Sequence, residues 1–476
     1  MRHAPSLLAA TALLAAACGS DSKTSCDPAA QTGCPSGLAC EAVTGAAPAC
    51  FDPVVVAGRV FKLSDATAVA GARVVAIDAN GAPASAVAAT AADGSYRIGV
   101  PRERAADGTP VSTPVTLRVD AAGFQSFPGG LRQALPVSTA GAVHGAGAWT
   151  VQSALTDVGL IGLPAGAGTA SLRGTVVLPP DRTGVLVVAE TSAGGTPRGF
   201  SAPADRTGAF AVLNLTPGDY TVRAYARGQN YEAKPVALAA GAEATVSLGI
   251  ASAAAGSVSG SVQLVNPGQG DGTSVVLALE STFDDVLVRG DAPPGLRAPE
   301  GGAAPTLTGA YTITGVPDGR YVALAAFEDD FLVRDPSNIG GTALQHVVVS
   351  GGAATLAGFK VTGALDVVSP GASGPETVTS AQPLFTWRDD SSEQSYGITV
   401  LDAFGVTVWK AALPRVTGGA NASATYGVSG TTSIGPVPLA AGMYYQFKVT
   451  SYDAAGATGN ALATTEDLRG VFLYQP

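Results

Sequence analysis

The residues able to do chemistry are few and scattered. Three histidines occur in the chain, His3, His144 and His346. Ser-His-Asp catalysis would need one of them beside an activated serine. No G-x-S-x-G turn is present, and neither His144 nor His346 lies near a nucleophile signature. Acidic pairs stand at Asp284-Asp285, Asp329-Asp330 and Asp389-Asp390, and Asp335 follows within Arg334-Asp335-Pro336-Ser337-Asn338. A calcium site needs roughly six to eight oxygens from converging loops, which makes Asp329, Asp330 and Asp335 the candidate donors. These residues lack the D-x-D-x-D-G grammar of a calcium loop, and solvated turns are the favoured reading. Paired carboxylates could also serve glycoside hydrolysis, but a cleft with several aromatics would be expected beside them. Gly145-Ala-Gly147 and Gly166-Ala-Gly168 are followed by no strand-to-helix unit and no Lys, so they read as linker glycines and not phosphate loops. Asn214-Leu-Thr216 and Asn421-Ala-Ser423 fit a glycosylation sequon, which is taken as chance. Trp149, Tyr225 and Tyr231, the last two flanking Arg227-Gly-Gln-Asn230, are aromatics that could stack on a sugar ring or a partner. The competing reading is core or interdomain filler. No cofactor is expected.

Cysteine is used in one place. After Cys18, the other four are Cys26, Cys34, Cys40 and Cys50. An even count in a short Gly/Pro/Ala-rich segment of an exported chain reads as two disulfides stapling a knot too small to hold a core. Three pairings are open, with Cys26–Cys40 and Cys34–Cys50 favoured. Zinc is disfavoured because there is no CxxC pair and no histidine nearby. The knot is expected to stand as a stiff spacer before the first folded module.

The N-terminus reads as an address. A short basic start, Met1-Arg2-His3, precedes an apolar run from Leu7 to Ala17, which is too short for a mature membrane span. The run ends Leu13-Leu14-Ala15-Ala16-Ala17-Cys18-Gly19. This resembles a bacterial lipoprotein lipobox, which implies removal of 1–17 and acylation of Cys18. It departs from the usual pattern in having Ala15 three residues before the cysteine. Multiple acyl chains would give stable membrane anchoring. Gly19 after the cysteine implies, by the same resemblance, sorting to the outer membrane or cell surface.

The elements that would position these residues are strands. At 476 residues the chain is long enough for several cores. Hydrophobic residues make up 46%, which excludes a disordered chain, and 61 Gly with 32 Pro suit many short strands joined by turns. The net charge of −10, with no Lys/Arg cluster, argues against nucleic-acid partners. A phrase recurs: Gly208-Ala-Phe210-Ala-Val212 leading to Pro217-Gly218-Asp-Tyr220, and Gly309-Ala-Tyr311-Thr-Ile313 leading to Pro317-Asp-Gly319-Arg-Tyr321. Asp93-Gly94-Ser-Tyr96-Arg-Ile98 begins the same way. The phrase reads as one β-hairpin used several times, with Pro217-Gly218 in a type II turn, and so as an array of modules. Each module opens on a strand with Gly two residues before an apolar residue: Gly58-Arg-Val60, Gly174-Thr-Val176 and Gly260-Ser-Val262.

This order of motifs, with the G-A-x-V of Gly71 to Val74 and the D-G-S-Y of Asp93 to Tyr96, resembles the carboxypeptidase regulatory-like domain. The resemblance implies small transthyretin-like β-sandwiches over roughly residues 53–364. Module one departs from it in the insert Arg102 to Pro114, and modules two and three lack the G-A-x-V element. The metallopeptidases that carry this domain need a closely spaced His and Glu with a further His, and nothing here matches. Beyond about Asp366, Phe385-Thr-Trp387, Tyr396-Gly-Ile398-Thr-Val400 and Leu439-Ala-Ala-Gly442-Met-Tyr444-Tyr445 resemble a fibronectin type III sandwich. That likeness implies Trp387 in the core and Tyr444 or Tyr445 at a tyrosine corner.

The expected fold is therefore all-β: tandem β-sandwich modules, transthyretin/immunoglobulin-like, after a short disulfide-rich segment. The expected divisions are 1–17 signal, 18–52 tether and knot, 53–168, 169–251 and 252–364 regulatory-like sandwiches, and 365–476 fibronectin-like. The chain reads as an anchored rod, not an enzyme, with the membrane as one partner through Cys18. The other partner would be an envelope protein or a glycan. Its function reads as a structural or adhesive scaffold, the alternative being an envelope polysaccharide-binding protein. The insert after Pro101 and the acidic loops of module three are the expected contact points.

Overall fold

The computed structural model describes residues 26–476 apart from 130–131, 181–183, 193–194, 196, 302, 327–329, 335–341, 391 and 418–420. Cys18, Asp329 and Asp335 thus lie outside the described residues. Strands make up the fold, and the one helical element among the described residues is a short 3-10 turn, Glu280–Thr282. Alternation drives it: Ser95–Gly99 buries Tyr96 and Ile98 and exposes the residues between them.

Four sandwiches follow one another. In the first, Val54–Lys62 pairs antiparallel with Ser95–Gly99 and parallel with Ala148–Val151 and Val158–Leu160. The facing sheet is built from Ala88–Ala89, Arg73–Ile77 and Thr116–Asp120. The second and third repeat this plan. Ala170–Val176 lies between Ala209–Leu215 and Glu243–Leu248, and Gly256–Leu264 lies between Gly309–Val316 and Ala353–Gly363. In both, the first neighbour is antiparallel and the second parallel. The fourth packs Val367–Ser369, Leu384–Arg388 and Asn421–Thr425 against a seven-stranded sheet centred on Ser395–Asp402 and Tyr444–Ala454. Its core is aromatic, with Phe385, Trp387, Tyr396, Trp409, Phe447 and Phe472 fully buried.

The recurring phrase is an arch and not a hairpin. Ala209–Leu215 belongs to one sheet of the second sandwich, and Gly218–Tyr225 belongs to the other. Gly309–Val316 and Gly319–Ala325 divide in the same way. The Pro-containing corner therefore carries the chain from sheet to sheet. The second aromatic pins that corner: the Tyr220 hydroxyl donates to the Thr216 carbonyl at 2.8 Å, and Tyr321 to Pro317 at 2.8 Å. In the fourth sandwich the flanking strands Thr431–Ile434 and Tyr444–Ala454 stay in one sheet, but Tyr445 accepts the Ala440 N–H at 2.8 Å there, so Tyr445 and not Tyr444 holds that bend. The first aromatic has a different task. Tyr96, Phe210 and Tyr311 stand opposite Gly58, Gly174 and Gly260 of the opening strands.

The sandwiches do not form a rod. Leu186, Val188 and Tyr225 of the second join the hydrophobic core of the third, where Tyr225 and Tyr321 meet edge to face at 6.2 Å. The first sandwich touches each of the others. Asn214 reaches it from the second, Asp291 from the third, and Phe404 of the fourth meets Phe61 at 5.2 Å. The third and fourth are joined where the Phe331 N–H donates to Glu466 at 2.6 Å. An expectation of modules placed end to end misses this because the polar side chains that fold them together stand far apart in sequence.

Candidate functional site

The charged side chains that converge most closely do so between modules. The disulfides are Cys26–Cys40 and Cys34–Cys50. They brace the hairpin of Ala39–Val43 and Ala46–Phe51, in which Cys40 stands opposite Cys50. A two-stranded ribbon this short is marginal alone. The knot is not a free spacer, because it is seated on the insert that follows Pro101. Glu41 and Arg104, both about 1% exposed, form a buried ion pair. Glu41 also accepts the Arg102 N–H at 2.9 Å, Arg104 donates to the Asp52 carbonyl at 2.7 Å, and its guanidinium lies 4.8 Å from the Phe51 ring centre. Backbone bonds between Ala42, Thr44 and Arg104 complete the seat. Burial pushes the Glu41 carboxyl above its ordinary value, against the pull of Arg104 and the Arg102 N–H. The start of the insert is thus taken up by the knot, while Asp107, Thr109 and Ser112 farther along it are exposed.

A second junction joins three sandwiches at Arg118. Strand alternation in Thr116–Asp120 turns Leu117 and Val119 into the core and leaves Arg118 on the opposite face. There it meets Asp120 at 3.1 Å, Asp291 of the third sandwich at 3.3 Å, and the Ser201 carbonyl of the second at 2.7 Å. The Ser201 hydroxyl bonds Asp291 at 2.6 Å. Burial alone would lower the Arg118 pKa, but Asp120 and Asp291 outweigh it and hold the guanidinium charged. Nearby, Asn214 inserts its carboxamide into the first sandwich. It donates to Ala121 and Phe124 carbonyls at 2.9 and 2.8 Å and accepts the Gly123 N–H at 2.7 Å. The backbone of Asn214 is left-handed, with φ 62°, a conformation Asn tolerates better than most residues. Its sequon is therefore engaged inside the molecule.

The other sequence candidates are dispersed. Asp330 is buried, 6% exposed, and not in a solvated turn. It accepts the Thr273 hydroxyl and the Leu332 N–H, so its oxygens tie the third sandwich together. Asp389 accepts the Tyr396 hydroxyl and Asp390 the Ser451 hydroxyl, both at 2.7 Å. Asp284 closes a local turn through the N–H groups of Val286 and Leu287. His144 pairs with Asp52 at 2.9 Å, and His346 with Glu280 at 2.8 Å. No serine, threonine or cysteine is hydrogen-bonded to either ring among the described residues. Tyr225 is core, and Tyr231 packs on the second core and bonds the Val177 carbonyl. Trp149 is half-buried, with its ring 4.8 Å from that of His144. An open groove of about 580 Å³ runs between Thr342–His346 and Thr355–Lys360. Side chains cap its backbone edge: Gln345 bonds the Gly358 carbonyl and Thr342 accepts the Lys360 N–H.

Sequence reasoning misses Arg104, Arg118 and Asn214 as key residues because their partners lie in other modules.

No family model matches the chain, and no curated protein matches it. Among solved structures the chain is similar to the Bacillus anthracis TIE protein, at 12% identity over 86% of this chain and 65% of that one, with a TM-score of 0.15. It spans about two thirds of that protein's length. It is also similar to a minor pilin of Streptococcus agalactiae, at 14% identity, 42% of this chain, 100% of that chain and a TM-score of 0.19. A DUF3823 family protein from Bacteroides uniformis is similar at 12% identity, over 47% and 100% of the two chains, with a TM-score of 0.18.

Proposed function

We propose that this chain is a non-catalytic scaffold of the cell surface, held to a membrane through acylated Cys18, that presents its outer loops to another envelope protein. One observation carries the reading. The charged groups that converge, Glu41 with Arg104 and Arg118 with Asp120 and Asp291, are engaged in holding modules to one another. An enzyme would direct such groups toward a cleft open to substrate. Here they lie at seams, where they hold one module against the next.

Replacing Cys18 with Ser and following the protein in membrane fractions, with in-cell crosslinking of the unaltered chain, tests this function. Release of Cys18→Ser from the membrane, together with a crosslinked envelope protein, supports the scaffold. Retention of the variant removes the anchor. Binding of the chain to a glycan array without any protein crosslink would overturn the choice of a protein partner.

A further inference from the structure

We propose that the knot and the first sandwich form one body that docks reversibly onto the other three sandwiches, pivoting on the glycine-rich link 164–169. This motion within the scaffold does not depend on the identity of its partner.

Two kinds of seam occur in the molecule. Leu186, Val188 and Tyr225 of the second sandwich belong to the hydrophobic core of the third, so separating the two would expose Tyr225 and Leu186 to water. The core of the first sandwich is closed on itself, drawing only on residues from Val56 to Leu160. Hydrogen bonds and ion pairs from Arg118, Asn214 and Lys448 join it to its neighbours, with the single ring contact of Phe61 and Phe404 beside them, and water can replace the polar bonds when the surfaces part. Interfaces of this polar kind are the ones across which domains move. The knot travels with the first sandwich because the Glu41–Arg104 pair is buried between them.

The link supplies the freedom. Ile161 to Leu163 are still bonded to the first sandwich, through the Gln125 N–H and the Gly123 carbonyl, and from there to Ala170 the chain reads Pro-Ala-Gly-Ala-Gly-Thr with no strand. Gly166 and Gly168 have φ of 82° and 54°. These six residues can extend to about 20 Å, enough to let the docked faces separate. The bodies would then interconvert between a closed form and one with the first sandwich swung clear.

Amide hydrogen exchange on the full chain tests this. The Gly123 N–H is covered by Asn214 across one part of the seam, and the Gly295 N–H by the Asn80 carbonyl across another, at 2.7 and 3.1 Å. Docking as a unit predicts that both amides exchange at one common rate, about tenfold or more faster than the strand amides of Val54–Lys62. Asn214→Ala should also speed Gly295, which it does not touch, and Arg118→Met should speed both. Protection of Gly123 and Gly295 equal to that of the core strand overturns the proposal. So does an Asn214→Ala variant in which Gly295 is unchanged. Comparing these amides in the unaltered chain decides the matter even if a variant fails to fold.

Discussion

Gly58 stands directly opposite Tyr96 in the antiparallel ladder, and the Tyr96 hydroxyl passes over it to donate to the Thr156 carbonyl at 2.5 Å. A Cβ at Gly58 would fall 2.1 Å from that same carbonyl oxygen. The glycine thus makes room for the bond that closes the first sandwich. The third sandwich keeps the pairing, Gly260 opposite Tyr311, but the Tyr311 hydroxyl is buried with no hydrogen-bond partner among the described residues. Burial pushes that hydroxyl up to about 12. Tyr96→Phe should therefore cost about 1–3 kcal/mol by leaving the Thr156 carbonyl unmatched, while Tyr311→Phe should be neutral or stabilising. Equilibrium unfolding in urea compares the two, and equal losses would contradict the assignment.

Removing one partner of a buried ion pair is worse than removing both. Glu41→Gln leaves Arg104 charged and buried against Phe51 and should destabilise the first sandwich by about 3–5 kcal/mol. Replacing Glu41 and Arg104 together by Met should restore much of that loss. A double-mutant cycle measured by denaturant unfolding checks it, and additive losses would contradict it.

Reduction should act through the same seat. Cys40 adjoins Glu41 and Cys50 adjoins Phe51, so the disulfides hold both residues that face Arg104. Opening the two disulfides with a dithiol should expose the insert 102–114 to proteolysis before the rest of the sandwich is cut. An unchanged cleavage pattern would contradict the docking of the knot.

Acid should loosen the seam at Asp467. Partial burial raises the pKa of this carboxyl, but Lys448 at 2.5 Å and Arg289 of the third sandwich at 3.7 Å outweigh it and hold the group below its ordinary value. A depressed carboxyl contributes stability above its unfolded pKa, near 3.9, and loses it as pH falls through the folded value. Stability from this group should thus be flat from neutral pH down to about 4 and decline below it. Asp467→Asn should remove that component of the acid limb, as read by melting temperature against pH. An identical acid limb in the variant would contradict the assignment.

Much of each sandwich is legible in the sequence, and the seams are not. Tyr96, Phe210 and Tyr311 announce themselves because a large aromatic flanked by alternating apolar residues needs a core. Their partners Gly58, Gly174 and Gly260 recur at the opening of each module. The phrase suggests a hairpin because strands adjacent in sequence usually pair, whereas here Pro217 and Pro317 mark a change of sheet. Acidic neighbours make Asp330 read as a solvated residue, yet Thr273, over fifty residues away, encloses it. Arg118 reads as an ordinary outward-facing strand residue until two other modules are set against it.

The most direct test of the closed scaffold is small-angle X-ray scattering of the chain at moderate ionic strength. Contacts from the first sandwich to the second, third and fourth predict a profile that matches the folded-together arrangement, and a larger maximum dimension for Arg118→Met. A profile of four sandwiches in an extended row, unchanged by Arg118→Met, would contradict it.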